Sequence, residues 1–216
     1  MKKNFKKRVY TSISLLLILF LMLINNYIFA YILIIAGIFS IIEFLGISLI
    51  IFKKEKIKSF LSNFMFIAYI FFFCSALLIF SNFVHLKIMI FTIILTCIAS
   101  DIGGFVFGKI FKGAKLTKIS PNKTVSGAVG SIIFSCITFF LVIFYMTNNM
   151  NLIILFVAIS TSIACQIGDL FFSYLKRKSF LKDTGNLLPG HGGVLDRVDS
   201  ILLGVPIGFI TLLAIN

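Results

Sequence analysis

The sequence has few acidic residues and little charge of either sign. Asp and Glu number seven against 20 Lys and Arg, and charged residues make up only 12% of the 216 residues. A soluble domain usually carries about 25% charged residues. Hydrophobic types account for 60% of the chain, and its mean hydropathy is +1.12. This composition excludes a soluble globular enzyme, a disordered tail and a disulfide-rich secreted module, and it indicates an integral membrane protein.

The chain has only four cysteines, and it shows no internal repeat and no linker rich in Pro or Gly. The four cysteines all fall inside apolar stretches, without a CxxC pair. We therefore expect buried thiols that act as small hydrophobic side chains, with no redox or metal role. The net charge of +13 comes from short basic clusters between apolar runs, a pattern of membrane topology and not of nucleic-acid binding.

Seven apolar segments approach the ~20 residues that a membrane-spanning helix needs. They predict an all-α integral membrane protein, a polytopic bundle of about seven transmembrane helices. The N-terminus resembles a secretory signal peptide, but Asn25-Asn26-Tyr27 offers no small-residue cleavage site. We expect a retained first helix. The predicted spans are Val9–Ile24, Tyr27–Phe52, Phe60–Phe80, Leu86–Ser100, Ser126–Met146, Leu152–Phe172 and Val198–Ile215.

The basic residues predict the orientation of the bundle. Seven spans place every Lys and Arg except Lys87 on one side of the membrane. The positive-inside rule puts that side, the N-terminus and the three large loops in the cytoplasm, with the C-terminus outside. A bacterial inner membrane fits this pattern best. The four basic clusters are Lys2 to Arg8, Lys53 to Lys58, Lys109 to Lys123 and Lys176 to Arg197.

Five of the seven acids gather at this cytoplasmic surface. Asp169 shares one face of helix six with Gln166 and Ser173, and Asp196 and Asp199 are three residues apart at the start of helix seven. Carboxylates of this kind suit Mg²⁺, which is commonly held by one or two of them plus substrate phosphates. Capping of helix seven is a second explanation for Asp196, but it does not explain Asp169. The five are Asp101, which ends the predicted helix four, Asp169, Asp183, Asp196 and Asp199.

The remaining two acids differ from each other. Glu55 lies among lysines and is expected to be solvated. Glu43 lies inside helix two, where an ionisable group is costly and is usually paired or functional. It is either a structural partner of a neighbouring helix or part of a site, and the sequence leaves both open.

The turn before helix five combines a charge with two hydroxyls. Ser120, Lys123 and Thr124 precede a helix N-terminus, which attracts anions. Phosphate binding and an ordinary cytoplasmic turn with a helix cap are both consistent with this pattern.

The last loop carries the most specific pattern, SYLKRKSFLKDTGNLLPGHGGVLDRVD from Ser173 to Asp199. It resembles the signature of the phosphatidate cytidylyltransferase family, the CDP-diacylglycerol synthases, and every constrained position of that signature matches. The positions that admit a single residue type are Ser173, Lys176, Arg177, Lys182, Asp183, His191, Gly192, Gly193, Asp196, Arg197 and Asp199.

The stretch from Asp101 to Gly127 looks like the family's other conserved region, with two departures. The usual Phe-Gly-Lys reads Phe111-Lys112-Gly113, and Ser126 stands where an acidic or amide residue is usual. Glu43-Phe44 corresponds loosely to an acidic-aromatic pair of the family. The chain is also shorter than is typical, so we expect fewer N-terminal helices.

The resemblance implies transfer of CMP from CTP to phosphatidic acid, in the lipid bilayer, with Mg²⁺ and room for a second cation, in a homodimer. It implies transmembrane support from residues 1–83 and a catalytic region with two cytoplasmic loops over 84–216. The expected metal ligands are Asp169 and Asp196, with Asp199 and Asp101 as further ligands or as groups that orient them. The expected catalytic residues also include Lys182, Arg197 and His191. The expected substrate contacts are Ser120, Lys123, Thr124, Lys176, Arg177, Gly190, Gly192 and Gly193.

Two other functions remain to be weighed. A CTP-dependent enzyme acting on another lipid phosphate, such as an ether lipid, or a CTP-dependent lipid kinase belongs to the same superfamily, but a kinase should lack the complete signature. A transporter usually carries ionisable groups near the bilayer midplane between repeated halves, and this sequence has neither feature.

Overall fold

The computed structural model describes residues 2–117, 120, 123–148, 152–187 and 192–215, with side chains from residue 10 onward. Over these ranges the chain is almost entirely helical and contains no β-strand, apart from a single antiparallel bridge between Lys115 and Thr124. The all-α prediction is confirmed. The helices are α1 (Lys2–Ile24), α2 (Asn26–Ile51), α3 (Lys56–Ser81), α4 (Val84–Phe111), α5 (Val125–Thr147), α6 (Leu155–Lys178, after a 3₁₀ turn at Leu152–Ile154) and α7 (Leu195–Ile215).

Among the described residues, six helices, α2 to α7, are long and apolar enough to cross a membrane. The basic residues of α1 all lie in its first two turns, and the apolar part whose side chains the structure describes, Tyr10–Ile24, follows them. That part is shorter than the ~20 residues of a typical span. All seven predicted helices are present in the part of the chain that the structure describes, and six of them combine the length and the hydropathy of a span.

The prediction that helix four ends at Asp101 is wrong, because α4 continues to Phe111. This continuation contains Gly103, Gly104 and Gly108, which usually weaken a helix. Packing against α5 explains their presence. A Cβ added to Gly104 would lie 2.6 Å from Ser131 Oγ, and one added to Gly103 would lie 2.5 Å from the carbonyl oxygen of Gly130. Small residues let the two helix backbones approach closely.

The chain divides into two compact units. The first unit comprises Met1–Lys87 and Leu175–Val198, and the second comprises Ile88–Tyr174 and Asp199–Asn216. The division falls inside α4, α6 and α7. The predicted division of tasks between residues 1–83 and 84–216 stays a prediction.

In the first unit, α2 packs on α3 through aromatic and small side chains. The rings of Phe44 and Phe66 stack with their centroids 3.8 Å apart. The buried hydroxyls of Ser48 and Ser59 are 3.3 Å apart and hydrogen-bond each other. Lys87, the basic residue predicted on the opposite side from the others, is 7% exposed and donates to Asn26 Oδ1 at 2.6 Å. Its charge is therefore largely withdrawn from the surface.

In the second unit, glycines of α7 face α4 and α6. A Cβ on Gly204 would lie 2.7 Å from Cys97 Sγ, and Gly208 would meet Ile93 at 2.9 Å. Hydroxyl contacts join the same helices, since Ser100 and Ser162 lie 2.9 Å apart. All four cysteines are free thiols, and Cys97 and Cys165 are buried. Cys74 and Cys136 are half-buried, so the expectation of buried thiols is met by two of the four cysteines.

Candidate active site

The signature residues of the first unit fold around the carboxylate of Asp196. Its Oδ2 accepts hydrogen bonds from the backbone N–H groups of Thr184 at 2.8 Å and Gly193 at 3.0 Å. Its Oδ1 accepts from Lys176 Nζ at 2.7 Å, and the Asp196 side chain is only 6% exposed. The hydrogen bonds of Asp196 thus connect the end of α6, the middle of the α6–α7 loop and the start of α7.

A second buried carboxylate, Glu43 of α2, binds the same loop. Glu43 Oε1 accepts from the backbone N–H of Val194 at 3.0 Å, and Oε2 accepts from that of Leu195 at 2.9 Å. Oε2 also accepts from the hydroxyl of Thr184 at 2.7 Å. Of the two interpretations of Glu43, these contacts favour the one in which it is a partner for groups of another segment.

Three glycines make room for these carboxylates. Gly192 has φ +84°, in the left-handed region that favours glycine, and a Cβ there would lie 2.8 Å from Asp196 Oδ2. A Cβ on Gly185 would lie 2.6 Å from Glu43 Oε1, and one on Gly193 would collide with Glu43 and with the Thr184 hydroxyl. The Gly193 N–H, predicted to approach phosphate, donates to Asp196 here.

The other signature residues of the first unit lie on its surface. Arg177, Lys182, Asp183 and Arg197 are exposed. Three exposed cations, at the end of α6, in the loop and at the start of α7, present charge suited to a polyanion. His191 and Gly190 lie outside the described residues.

Two acids of the second unit, Asp101 and Asp199, contact Ser200. The hydroxyl of Ser200 donates to Asp101 Oδ2 at 2.9 Å, and its backbone N–H donates to Asp199 Oδ1 at the same distance. Asp199 is 7% exposed, whereas Asp101 is exposed. The structure therefore brings together two of the predicted metal ligands, on α4 and α7, through one serine.

Asp169, on α6 of the same unit, forms an ion pair with Lys123 from the turn before α5. Ser173 Oγ donates to Asp169 Oδ1 at 3.3 Å, as expected for residues on one helix face. The side chains of Lys123 and Asp169 are 25% and 33% exposed. A predicted phosphate contact and a predicted metal ligand are thus each other's partners.

The turn before α5 is closed by its own hydrogen bonds. Thr124 is the N-cap of α5, and its Oγ1 accepts from the backbone N–H of Gly127 at 3.1 Å. The Val125 N–H donates to the carbonyl of Ala114 at 2.9 Å. Ser126, one of the two departures from the family pattern, has its hydroxyl 3.0 Å from Thr124 Oγ1. These contacts bear out the helix-cap interpretation and leave phosphate binding a prediction.

The donor chemistry of the second unit fits a hard cation. Among the residues that the structure describes, no three His, Cys, Asp or Glu side chains group closely enough to form a complete ligand set. Mg²⁺ does not need one, because it usually retains waters and takes one or two carboxylates plus substrate phosphates. The carboxylates of Asp101 and Asp199 supply that number, so the residues present fit the ion.

Two residues of these clusters were not predicted from the sequence. Thr184 occupies an unconstrained position of the signature, and Ser200 follows its last residue. Their positions between carboxylates depend on tertiary contacts, and no spacing in the sequence signals them.

Comparison with known proteins identifies the family. The family model described as the cytidylyltransferase family matches residues 1–215. The chain belongs to the cytidylyltransferase family. The resemblance inferred from the signature is thereby confirmed at the level of the family.

Relatives within this family carry a more specific name. Proteins named phosphatidate cytidylyltransferase from Rickettsia bellii and Staphylococcus haemolyticus are each 43% identical to this chain, over 119 and 110 residues. Each alignment covers 50% of this chain, with 51% and 42% of the relative. A protein of the same name from Helicobacter pylori is 39% identical over 112 residues, covering 52% of this chain and 42% of the relative. The chain thus matches about half the length of these cytidylyltransferases.

Proposed function

We propose that this cytidylyltransferase-family protein transfers the CMP moiety of CTP to phosphatidic acid, yielding CDP-diacylglycerol and pyrophosphate for phospholipid biosynthesis. The observation that carries the proposal is the complete signature from Ser173 to Asp199 in a chain that the family model matches over residues 1–215. The names of its relatives support the same activity.

The reaction is an in-line nucleotidyl transfer. An oxygen of the lipid phosphate attacks the α-phosphorus of CTP, and the bond from that phosphorus to the bridging oxygen of the β-phosphate breaks. Pyrophosphate leaves with the electron pair. The attacking phosphate is already ionised, so no general base is required, and His191 is assigned phosphate binding or ligand orientation.

Both reactants are anions, so the protein has to offset their repulsion. Bound Mg²⁺ would neutralise phosphate charge and stabilise the negative charge that develops on pyrophosphate. We assign Asp101, Asp169 and Asp199 to hold it, because they supply hard oxygen donors. Asp196 remains a predicted ligand, although its three hydrogen bonds support a role in ordering the loop.

The cationic and small residues are assigned to the phosphates. Exposure of Arg177, Lys182 and Arg197 supports contact with a soluble nucleotide or a lipid headgroup. Lys123 and Lys176 form ion pairs with carboxylates. To bind phosphate, each lysine would have to leave its carboxylate. The remaining assigned contacts are Ser120, Thr124, Gly192 and Gly193.

We also propose that the basic loops face the cytoplasm of a bacterial inner membrane. Two helices separate each of the loops α2–α3, α4–α5 and α6–α7 from the next, so all three lie on one side whether or not α1 spans. In a cysteine-free background, Lys53→Cys and Lys115→Cys should label from the cytoplasmic side and Asn82→Cys from the opposite side. The reverse labelling would contradict this orientation.

The family resemblance further supports a homodimer as the functional assembly. Light scattering of the purified protein, corrected for bound detergent, should give twice the chain mass of 24.2 kDa. A mass of one chain at activity-assay concentrations would contradict the dimer.

Pyrophosphate release tests the proposed activity. Purified protein in detergent, supplied with phosphatidic acid and Mg²⁺, is given each of the four ribonucleoside triphosphates in turn. We expect release with CTP alone, dependent on the lipid and greatly reduced in Asp199→Asn at a Mg²⁺ concentration that just saturates the wild type. Glu55→Gln, a carboxylate-to-amide change at an exposed Lys-paired site, is the matched control and should remain active. Release with another nucleotide, or without lipid, would contradict the proposal.

A further inference from the structure

Glu43 is a buried carboxylate whose hydrogen bonds reach far along the sequence. It is 8% exposed and lies in α2, more than two helical turns before that helix ends at Ile51. The hydrogen-bond donors to it are 141 to 152 residues away, in the loop before α7 and at the start of α7. An ionisable group at such a position is expensive unless it is well paired.

None of these three donors is a cation. Two are the backbone N–H groups of Val194 and Leu195, where α7 begins, and the third is the hydroxyl of Thr184. The first N–H groups of a helix have no partner within it, and they carry the positive end of the helix dipole. Glu43 therefore acts as an N-cap for α7 that is supplied by a different helix.

Thr184 connects this cap to the signature carboxylate. Its hydroxyl donates to Glu43, and its backbone N–H donates to Asp196 Oδ2. Gly193 contacts both carboxylates. Its backbone N–H donates to Asp196, and a side chain at Gly193 would have no space beside Glu43. Displacement of Glu43 would thus disturb the residues that surround Asp196.

We infer that Glu43 is a positioning residue for cytidylyl transfer, which orders the signature from a helix outside it. This inference rests on the proposed function for the reaction that it serves. It gives α2 a part in catalysis, since the arrangement of Thr184, Gly193 and Asp196 depends on a carboxylate of that helix.

The test combines amide exchange with kinetics on the full chain in lipid nanodiscs. Glu43→Gln keeps the size of the side chain but turns an NH₂ group toward backbone N–H donors, and Glu55→Gln is the matched control. Hydrogen–deuterium exchange should show lost protection at Val194 and Leu195 in Glu43→Gln only. The kcat for lipid product should fall at least about tenfold, with unchanged helix content by circular dichroism.

Each other outcome overturns the inference. Wild-type kcat and KM in Glu43→Gln, even with a lowered Tm, would show that Glu43 only stabilises the fold. Lost activity with full amide protection would show that it acts in some other way. If Glu43→Gln does not fold, Thr184→Val tests the same inference, because it removes only the hydrogen bond from the Thr184 hydroxyl to Glu43. Several-fold lower kcat with faster exchange supports positioning, and wild-type kinetics overturn it.

The proposed function fails separately. If wild-type protein forms no CDP-diacylglycerol from phosphatidic acid and CTP, that proposal is wrong regardless of the variants. The exchange measurement would still report whether Glu43 orders Val194 and Leu195.

Discussion

Lys176 Nζ lies 2.7 Å from Asp196 Oδ1, so a cation and a carboxylate of one signature neutralise each other. The two residues are 20 positions apart, and their side chains are 14% and 6% exposed. The signature therefore encodes its own internal ion pair in addition to exposed cations. The pair explains why the signature requires Lys at position 176 and Asp at position 196, because each side chain offsets the buried charge of the other.

Removal of the cation should leave a buried carboxylate without its counter-charge. We expect Lys176→Met to lower stability by about 3–5 kcal/mol and to reduce activity strongly. Thermal unfolding in detergent, followed with pyrophosphate release, measures both effects. Lys178→Met is the control, because Lys178 is exposed and lies outside the constrained signature positions. Equal behaviour of the two variants would contradict the importance of the pair.

The absence of a side chain at Gly193 should be essential. A Cβ there collides with Glu43 and Thr184, whereas one at Gly46 of α2 meets nothing within 4 Å. Gly193→Ala should therefore lower Tm and activity, by an overpacking cost of about 1–3 kcal/mol. Gly46→Ala should be neutral or stabilising by up to about 1 kcal/mol. An active, fully stable Gly193→Ala protein would show that the loop is ordered differently.

Lys112, where the family more often has glycine, follows the last residue of α4 with φ +42°. Left-handed backbone costs a non-glycine residue about 1–2 kcal/mol, and glycine is the usual residue after a helix end. Glycine removes this cost but gives the unfolded chain more conformational entropy, which offsets part of the gain. Lys112→Gly should therefore raise the free energy of unfolding by about 0.5–1 kcal/mol, measured as a higher Tm. Lys109→Gly, the same change inside α4, should lower stability by about 1 kcal/mol. A loss of stability in Lys112→Gly would contradict this explanation.

The acids of the second unit should control the metal requirement. A chelator should abolish activity and added Mg²⁺ should restore it. Asp199→Asn and Asp101→Asn should raise the Mg²⁺ concentration for half-maximal activity by about tenfold or more, since even outer contacts change metal affinity by 10–100-fold. Glu55→Gln should leave that concentration unchanged. An unaltered Mg²⁺ dependence in both aspartate variants would remove them from the metal site.

Hydropathy and charge were sufficient to predict the helical membrane fold, because the thickness of the bilayer sets the length of each apolar run. The end of α4 was not predictable in the same way. Its glycines weaken a helix in isolation, and the packing of Gly103 and Gly104 against α5, which the sequence alone does not show, favours the extra turns.

For the candidate site, the sequence supplied a set of residues, which stays a prediction, but not the contacts among them. The signature identifies Asp196 and Lys176, but nothing in it indicates that they pair. Glu43 was visible only as an unusual acid in an apolar helix. Its hydrogen-bond donors Thr184 and Leu195 are 141 and 152 positions away in the sequence, and only the tertiary structure brings them to Glu43.

Phosphorus labelling tests the proposed reaction most directly. The protein is incubated with phosphatidic acid, Mg²⁺ and CTP labelled at either the α- or the γ-phosphate, and the lipid is extracted. Cytidylyl transfer predicts that the α-label enters the lipid as CDP-diacylglycerol, while the γ-label stays in water-soluble pyrophosphate. Entry of the γ-label into lipid would reveal a CTP-dependent lipid kinase, and entry of neither label would contradict transfer to phosphatidic acid.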